Sequence, residues 1–252
     1  MKISAVILTK NEENNLERCL KSVLFCDEIV IIDDFSTDKT LEIAKRYKAK
    51  VFKRELNNNF SSQRQFAFSR AGGEWLLFID ADEEVSLELK NDIKNVFSHG
   101  NQKIVAYYIK RRDFWWGREL KYGETQKARN KGLIRLIRKN HGLWHGFVHE
   151  VFKTKEATSC LSGFLNHYPH PTLTEFISDV NRYSSLRAKE LFSQKKRTNI
   201  CQIILYPLFK FKLNYFIYLG FLDGVPGFVY AFMMSFHSFL VRVKLYQLTD
   251  KQ

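Results

Sequence analysis

The chain has 252 residues, 45% of them hydrophobic and 27% charged, which excludes a disordered chain and a polytopic membrane protein. Forty Lys and Arg against 27 Asp and Glu leave a net charge of +13, which favours an anionic partner without choosing among nucleotide, phosphorylated acceptor, acidic lipid and nucleic acid. The four cysteines, Cys19, Cys26, Cys160 and Cys201, have no paired spacing, so they read as reduced, buried thiols rather than a zinc site or a disulfide framework.

Ile3 to Leu8 is an apolar run too short for the core of a signal peptide and reads as a buried strand. Glu12 to Val23 has helical spacing, with Leu16, Cys19, Leu20 and Val23 on one face. Glu28 to Ile32 is a second strand, ending in Asp33-Asp34, and Ser36-Thr37-Asp38 caps a helix through about Tyr47. Val51-Phe52 is a third strand, Ser61 to Ser69 a helix stopped by Gly72-Gly73, and Trp75 to Ile79 a fourth strand running into Asp80-Ala81-Asp82. Continuous apolar strands alternating with helices imply a parallel sheet covered on both faces. Ligands bind beyond the carboxyl ends of such strands, where both acidic pairs fall.

The texture then changes. Residues 103–139 carry twelve Lys and Arg against Asp113, Glu119 and Glu124, interleaved with Tyr107, Tyr108, Phe114, Trp115 and Trp116. Ile104 to Lys110 and Leu133 to Arg138 read as strands, with a polar loop around Lys121 to Lys131 between them. Thr172 to Phe192 is a helix, Lys195-Lys196-Arg197 a break, and Ile200 to Leu248 an aromatic, apolar tail.

Two carboxylates two residues apart just past a buried strand suit a hard divalent cation that shares its site with substrate phosphates; a solvated acidic turn is the alternative, since Glu83 and Glu84 follow. A carboxylate at the end of the second strand can accept from a base N–H or a ribose hydroxyl. Helix capping by Ser36 or Asp38 is compatible with that.

Ile7-Leu8-Thr9-Lys10-Asn11-Glu12-Glu13, then Asp33 to Asp38, then Asp80-Ala81-Asp82, resembles the nucleotide-sugar-binding half of a family-2 glycosyltransferase. The resemblance implies an inverting enzyme of the GT-A fold: a Rossmann-like, mostly parallel sheet with helices on both faces. It implies Thr9, Asn11, Glu12 and Asp34 as nucleoside contacts, Asp80 near the ribose, and Asp82 as ligand to Mg²⁺ or Mn²⁺. Phe35 stands where the family usually has Gly. On the helix before the Asp-x-Asp strand, Arg64 is placed to reach the diphosphate and Gln63 a sugar hydroxyl; a solvated helix face is the alternative.

Arg135 to Lys139, Trp144 to Glu150, Leu165 to Tyr168 and Leu222 to Gly227 resemble a bacterial branch that adds a β-linked glucose to the inner heptose of the lipopolysaccharide core. An inverting transfer needs a base within reach of the acceptor hydroxyl. Glu150 fits by order, with Asp113 as rival, and a strand-end salt bridge is the plainer role for Glu150. His167 is a further metal or phosphate contact on the same resemblance, although a lone His is more often structural.

The expected organisation is a catalytic domain over 1–194, made of a nucleotide-sugar half (1–100) and an acceptor half (101–194), then a helical membrane-associating tail over 195–252. Residues 225–241 are an uncharged run of 17, short for a span, and basic clusters beside aromatic helices suit the anionic cytoplasmic leaflet. Packing on the catalytic domain and a true span are the alternatives. The expected function is transfer of a hexose, such as glucose from UDP-glucose, to a lipid-linked acceptor, with inner-core heptose as the leading acceptor, at the inner face of the cytoplasmic membrane. Polyprenyl phosphate or a capsular saccharide is the alternative acceptor. A basic nucleic-acid-binding protein is the rival of another class, and two acidic strand ends with no nucleic-acid-binding signature speak against it.

Overall fold

The computed structural model describes residues 2–57, 59–99, 101, 103–146, 150–169 and 172–250. In chain order the elements are β1 (Ile3–Thr9), α1 (Leu16–Ser22), β2 (Glu28–Asp33), α2 (Thr40–Arg46), β3 (Lys50–Lys53), α3 (Phe60–Arg70), β4 (Trp75–Asp80), β5 (Glu83–Val85) and α4 (Leu87–His99). They continue with β6 (Ile104–Trp115), β7 (Arg118–Leu120), α5 (Gln126–Lys131), β8 (Leu133–Arg138), β9 (Leu143–His145), β10 (Val151–Lys153) and β11 (Ala157–His167). Three long helices close the chain: α6 (Leu173–Ser193), α7 (Ile200–Lys212) and α8 (Gly224–Asp250). The chain divides into two compact units, one of residues 1–112 and 128–167, the other of residues 113–127 and 168–252.

The first unit is built on a mixed sheet in the order β3-β2-β1-β4-β8-β6-β11-β5. β3, β2, β1 and β4 run parallel, and β8 turns the sheet antiparallel from β4 onward. The parallel strands are buried on both faces, so their apolar runs are unbroken. Alternate residues point opposite ways. Ala5, Ile7, Ile31, Leu77 and Ile79 join α1, α2 and α4 in one core. Val6, Val30, Ile32, Leu76 and Phe78 join α3 and the β9–β10 hairpin in the other. Close approach is enforced at Gly163 on β11, where a Cβ would lie 2.3 Å from the backbone nitrogen of Leu89 on α4.

The helix expected from Glu12 begins at Leu16, because Glu12 to Asn15 form a turn whose backbone is tied to Asp38 and to Thr40, the first residue of α2. Asp38, not Ser36, accepts from the first amide of α2, Thr40 N, at 3.0 Å. The polar loop expected over 121–131 contains a 3₁₀ turn and α5, whose sequence QKARNK consists largely of good helix formers. Gly132 ends it at φ +72°, a conformation that favours glycine. The cysteines are free, but only Cys19 is buried; Cys160 and Cys201 are exposed, on the open end of β11 and on a helix with no buried side chain.

The second unit holds the last three residues of β6, their hairpin partner β7, and α6, α7 and α8. Thr172 and Glu175 form a reciprocal capping box that starts α6. Trp115, Leu120, Phe176, Val180 and Met233 form one core, and Ala188, Leu191, Val241 and Leu245 a second.

Candidate active site

The carboxyl ends of β1, β2 and β4 each place acidic or polar groups at one edge of the sheet, because the three strands pair in register up to Thr9, Asp33 and Asp80. Asp33 is fully buried and structural: it accepts from the Thr9 hydroxyl at 3.1 Å and from the backbone and hydroxyl of Ser36. Asn11, at φ +55°, donates its amide N–H to Ser36 Oγ and accepts from Thr37 N at 2.8 Å. Thr9 and Asn11 therefore shape the strand-end loops with bonds of their own, and Glu12 joins them through its amide to Thr40 Oγ1. Asp34 is nearly buried, accepting from Leu56 N at 3.0 Å and from the Lys10 ammonium at 2.7 Å. Phe35 takes φ +52° and is 55% exposed, so a bulky side chain occupies the backbone shape in which the resembled family keeps Gly.

Gln63 is 2% exposed and faces Arg54, exchanging bonds of 3.0 and 2.7 Å with its guanidinium and carbonyl. It fastens the segment after β3 to α3. Arg64, one position on, is buried and bridges two carboxylates. Its Nη2 donates to Asp80 Oδ1 at 2.8 Å and its Nε to Glu150 Oε1 at 2.6 Å. The guanidinium carbon lies 5.1 Å from the centre of the Trp144 ring, a cation–π contact that helps hold it.

Asp80 has a second cation. Arg135 on β8 donates to Asp80 Oδ2 at 2.6 Å and to Glu83 Oε1 at 3.1 Å, while Glu83 Oε2 accepts from the Asp80 amide. Burial pushes the Asp80 carboxyl up, but Arg135 and Arg64 outweigh it and hold the group well below the usual carboxylate range. Glu83, with no exposed surface, goes the other way, raised by burial and by the charge of Asp80 beside it. Asp82 sits apart from this network and faces His167 Nε2 at 3.2 Å. Burial raises Asp82 too, and the imidazole more than compensates, so its carboxyl lies below the ordinary value. β5 and β11 make this pairing possible, since His167 is in register with Glu83 on the neighbouring strand.

Asp80, Glu150 and Arg64 are thus brought together, and Asp82 meets His167. Thr9, Asn11, Glu12 and Asp34 line the neighbouring strand ends, and Gln63 turns into the protein. Asp113 is buried in the second unit. Phe147, Val148 and His149 of the Trp144–Glu150 motif lie outside the described residues. Sequence reasoning missed Arg135 and Glu83 as site residues. The signal for Glu83 was its place directly after an Asp-x-Asp strand end; for Arg135 it was a lone cation in an otherwise apolar strand, Leu133 to Ile137. Among the described residues no cluster of three or more His, Cys, Asp or Glu side chains is built to hold a metal.

Residues 4–152 match the family described as Glycosyl transferase family 2, which is more than half of the chain. The chain belongs to glycosyl transferase family 2. This family-2 glycosyltransferase is 33% identical to an uncharacterized glycosyltransferase of Rickettsia typhi, over 99% of this chain and 88% of that protein. It is 30% identical to the lipopolysaccharide core biosynthesis glycosyltransferase LpsC of Rhizobium meliloti, over 97% of this chain and 92% of that one. Among solved structures, residues 1–349 of S. aureus TarS, crystallised with UDP-GlcNAc, superpose with a TM-score of 0.50 at 18% identity, covering all of this chain and 93% of that one. The transferase has the GT-A fold, as its resemblance implied: a mixed sheet with helices on both faces and a long apolar helix near the C-terminus.

Proposed function

We propose that this glycosyltransferase moves a hexose, glucose from UDP-glucose in the leading case, onto a lipid-linked sugar with inversion at the anomeric carbon. The observation that carries the reading is the bridge through Arg64, which joins the Asp-x-Asp edge to Glu150. Such an arrangement sets a carboxylate beside the donor-binding edge. Likeness to the lipopolysaccharide core biosynthesis glycosyltransferase LpsC along nearly the whole chain supports an acceptor in the lipopolysaccharide core. Inner-core heptose is the leading acceptor in this reading, with the protein working at the inner face of the cytoplasmic membrane.

In this mechanism the strand-end loops around Asp34 and Asn11 receive the nucleoside, and Asp80, fixed by two guanidinium groups, presents a rigid ionised edge to the ribose. Glu150 takes the proton of the acceptor hydroxyl as that oxygen attacks the anomeric carbon and the bond to the diphosphate breaks. Arg64 grips Oε1 of Glu150, so Oε2 is the atom that receives the proton. The attacking oxygen ends neutral in the new glycosidic bond, and UDP leaves with the electron pair.

The donor set fits a hard divalent cation that keeps few protein ligands. Asp82 offers a carboxylate oxygen and His167 an imidazole nitrogen 3.2 Å away, and diphosphate oxygens and water would complete the shell. Mg²⁺ or Mn²⁺ held there would offset the charge of the departing diphosphate.

Incubating the protein with UDP-[¹⁴C]glucose and purified lipopolysaccharide truncated at the inner core tests the proposal. Labelled lipopolysaccharide is the expected product. Labelling of polyprenyl phosphate instead would assign the other acceptor, and binding of nucleic acid without any UDP-sugar binding would overturn the enzymatic reading.

A further inference from the structure

The second unit carries a continuous surface that is apolar where it is most exposed. Helix α7 buries none of its side chains. Ile204, Leu208 and Phe209, and beyond the helix Phe216 and Ile217, are all more than half exposed. Ile204 and Leu208 are four residues apart and Phe209 and Phe216 seven, spacings that bring side chains to one side of a helical backbone. Residues 195–222 hold five cations, Lys195, Lys196, Arg197, Lys210 and Lys212, and not one acid. Lys210 is paired with Glu124 at 2.7 Å, which leaves Lys195, Lys196, Arg197 and Lys212 as the charges beside this face. An exposed apolar face of this length, flanked by such a cationic cluster, is foreign to a surface that meets water alone.

The opposite side of α7 rests on α8. Ser235 donates to the carbonyl of Pro207 at 2.7 Å, and the Arg242 guanidinium lies 4.2 Å from the centre of the Tyr206 ring. Phe211 and Tyr215 pack against Phe228. α8 is in turn laid along α6. Met233 meets Phe176 and Val180, and Val241 and Leu245 meet Ala188 and Leu191. The Lys244 ammonium is caught by Asn181 through its carbonyl and side-chain oxygens, each at 2.7 Å, and by the hydroxyls of Ser184 and Ser185, each at 2.8 Å.

By length and composition α8 is able to cross a bilayer. Its partner argues against that. α6 bears Glu175, Asp179, Arg182, Arg187, Lys189 and Glu190, and it lines α8 from Met233 to Leu245. A crossing α8 would draw those six charges into hydrocarbon or give up its packing on α6, and charged side chains are costly at that depth.

We infer that α7 and the turn through residue 222 lie in the plane of an anionic lipid surface, inserted into one leaflet, with α8 resting on them and not crossing. The order of layers is then α6 toward water, α8 in the middle and α7 in lipid. Lys195, Lys196 and Arg197, just before α7, meet the headgroups.

The full-length chain tests this by flotation with vesicles of phosphatidylcholine and phosphatidylglycerol. It should float with them, less with phosphatidylcholine alone, and less again at high salt. The double substitution Leu208→Glu, Phe209→Glu should cut flotation about tenfold or more while leaving the thermal unfolding transition in place, since both side chains are more than 60% exposed. For topology, Gln247→Cys is placed in a chain with Cys26→Ser, Cys160→Ser and Cys201→Ser and bound to preformed vesicles. A membrane-impermeant maleimide added outside should label residue 247 fully. Failure of the full chain to float, or unchanged flotation of the double variant, overturns the inference, and protection of residue 247 replaces it with a spanning α8. UDP titration of the same samples is a separate readout: its failure would strike the transferase reading and leave the lipid contact standing.

Discussion

Arg64 donates from Nε to Glu150 Oε1 at 2.6 Å, a bond between positions 86 residues apart in the chain. The same guanidinium holds Asp80, so one buried cation fixes the distance between the donor edge and the proposed base. Glu150→Gln should keep the shape of this contact and lose the base. Turnover should fall by about 10²–10⁴ with UDP affinity nearly unchanged. Single-turnover rates beside UDP titration check it; an active Glu150→Gln with a dead Asp113→Asn would move the base to Asp113.

Arg135→Met tests the other half of the clamp. Removing one partner leaves Glu83 buried beside an ionised Asp80, and breaking a buried pair in this way costs about 3–5 kcal/mol. Urea unfolding of the variant should show that loss. Arg135→Met, Glu83→Met should recover part of it, because the fully buried Glu83 charge is then gone and Asp80 keeps Arg64. If the double variant is no more stable than the single, Glu83 is not the group that suffers.

Asp82→Asn should abolish transfer and remove the effect of Mg²⁺ or Mn²⁺ on the UDP-induced thermal shift, with metal-free UDP binding little changed. His167→Ala should weaken the metal effect in the same direction but less. A full metal effect in Asp82→Asn would exclude it as a ligand.

Acid should loosen the first unit at Glu28. Its carboxylate joins Ser4 on β1, Gly72 after α3 and Lys50 on β3. Burial pushes its pKa up, but Lys50, Ser4 and the Gly72 amide bring it down to about 2. A folded value below the unfolded one gives stability that is complete above about pH 4.5 and lost as pH falls toward 2. Glu28→Gln should flatten that part of the stability–pH curve and cost about 1–3 kcal/mol at neutral pH. Denaturation midpoints from pH 7 down to 3 read the difference.

Phe35→Gly should relieve the left-handed backbone at position 35. The steric relief of roughly 1–2 kcal/mol exceeds the entropy cost of a glycine in the unfolded chain, about 0.5–1 kcal/mol. The variant should therefore unfold at a slightly higher temperature. A lower melting temperature would mean that the exposed ring makes a stabilising contact.

The half of the fold that was legible in the sequence is the half in which strands are buried on both faces. Ile3–Thr9, Glu28–Asp33 and Trp75–Asp80 announce themselves as apolar runs. Ile104 to Lys110 was readable as a strand, but the rest of β6, from Arg111 to Trp115, and β11 were not, because their outward positions carry Arg, Asn and Ser, and neither composition nor period separates them cleanly from loops. The Asp-x-Asp edge was readable because its chemistry is local. The Arg64–Glu150 contact was not, since it depends on α3 and the segment after β9 meeting over the same face. Gln63 shows the converse: it lies in a promising motif, yet its neighbour Arg54 claims both ends of its amide.

β1 lies between β2 and β4, and that position has a consequence during synthesis. Once the first strand has left the ribosome, it gains β2 on one edge as soon as Asp33 is free. Its other edge waits for β4, whose last residue is Asp80. At 5–20 residues per second, the gap between those two points lasts about 2–9 s. Through that interval the nascent chain displays the backbone of a largely apolar strand, the kind of edge that recruits a second chain. A holdase acting on this protein would thus be needed between the emergence of its second and fourth strands, and slowing translation over residues 34–80 should lower its soluble yield.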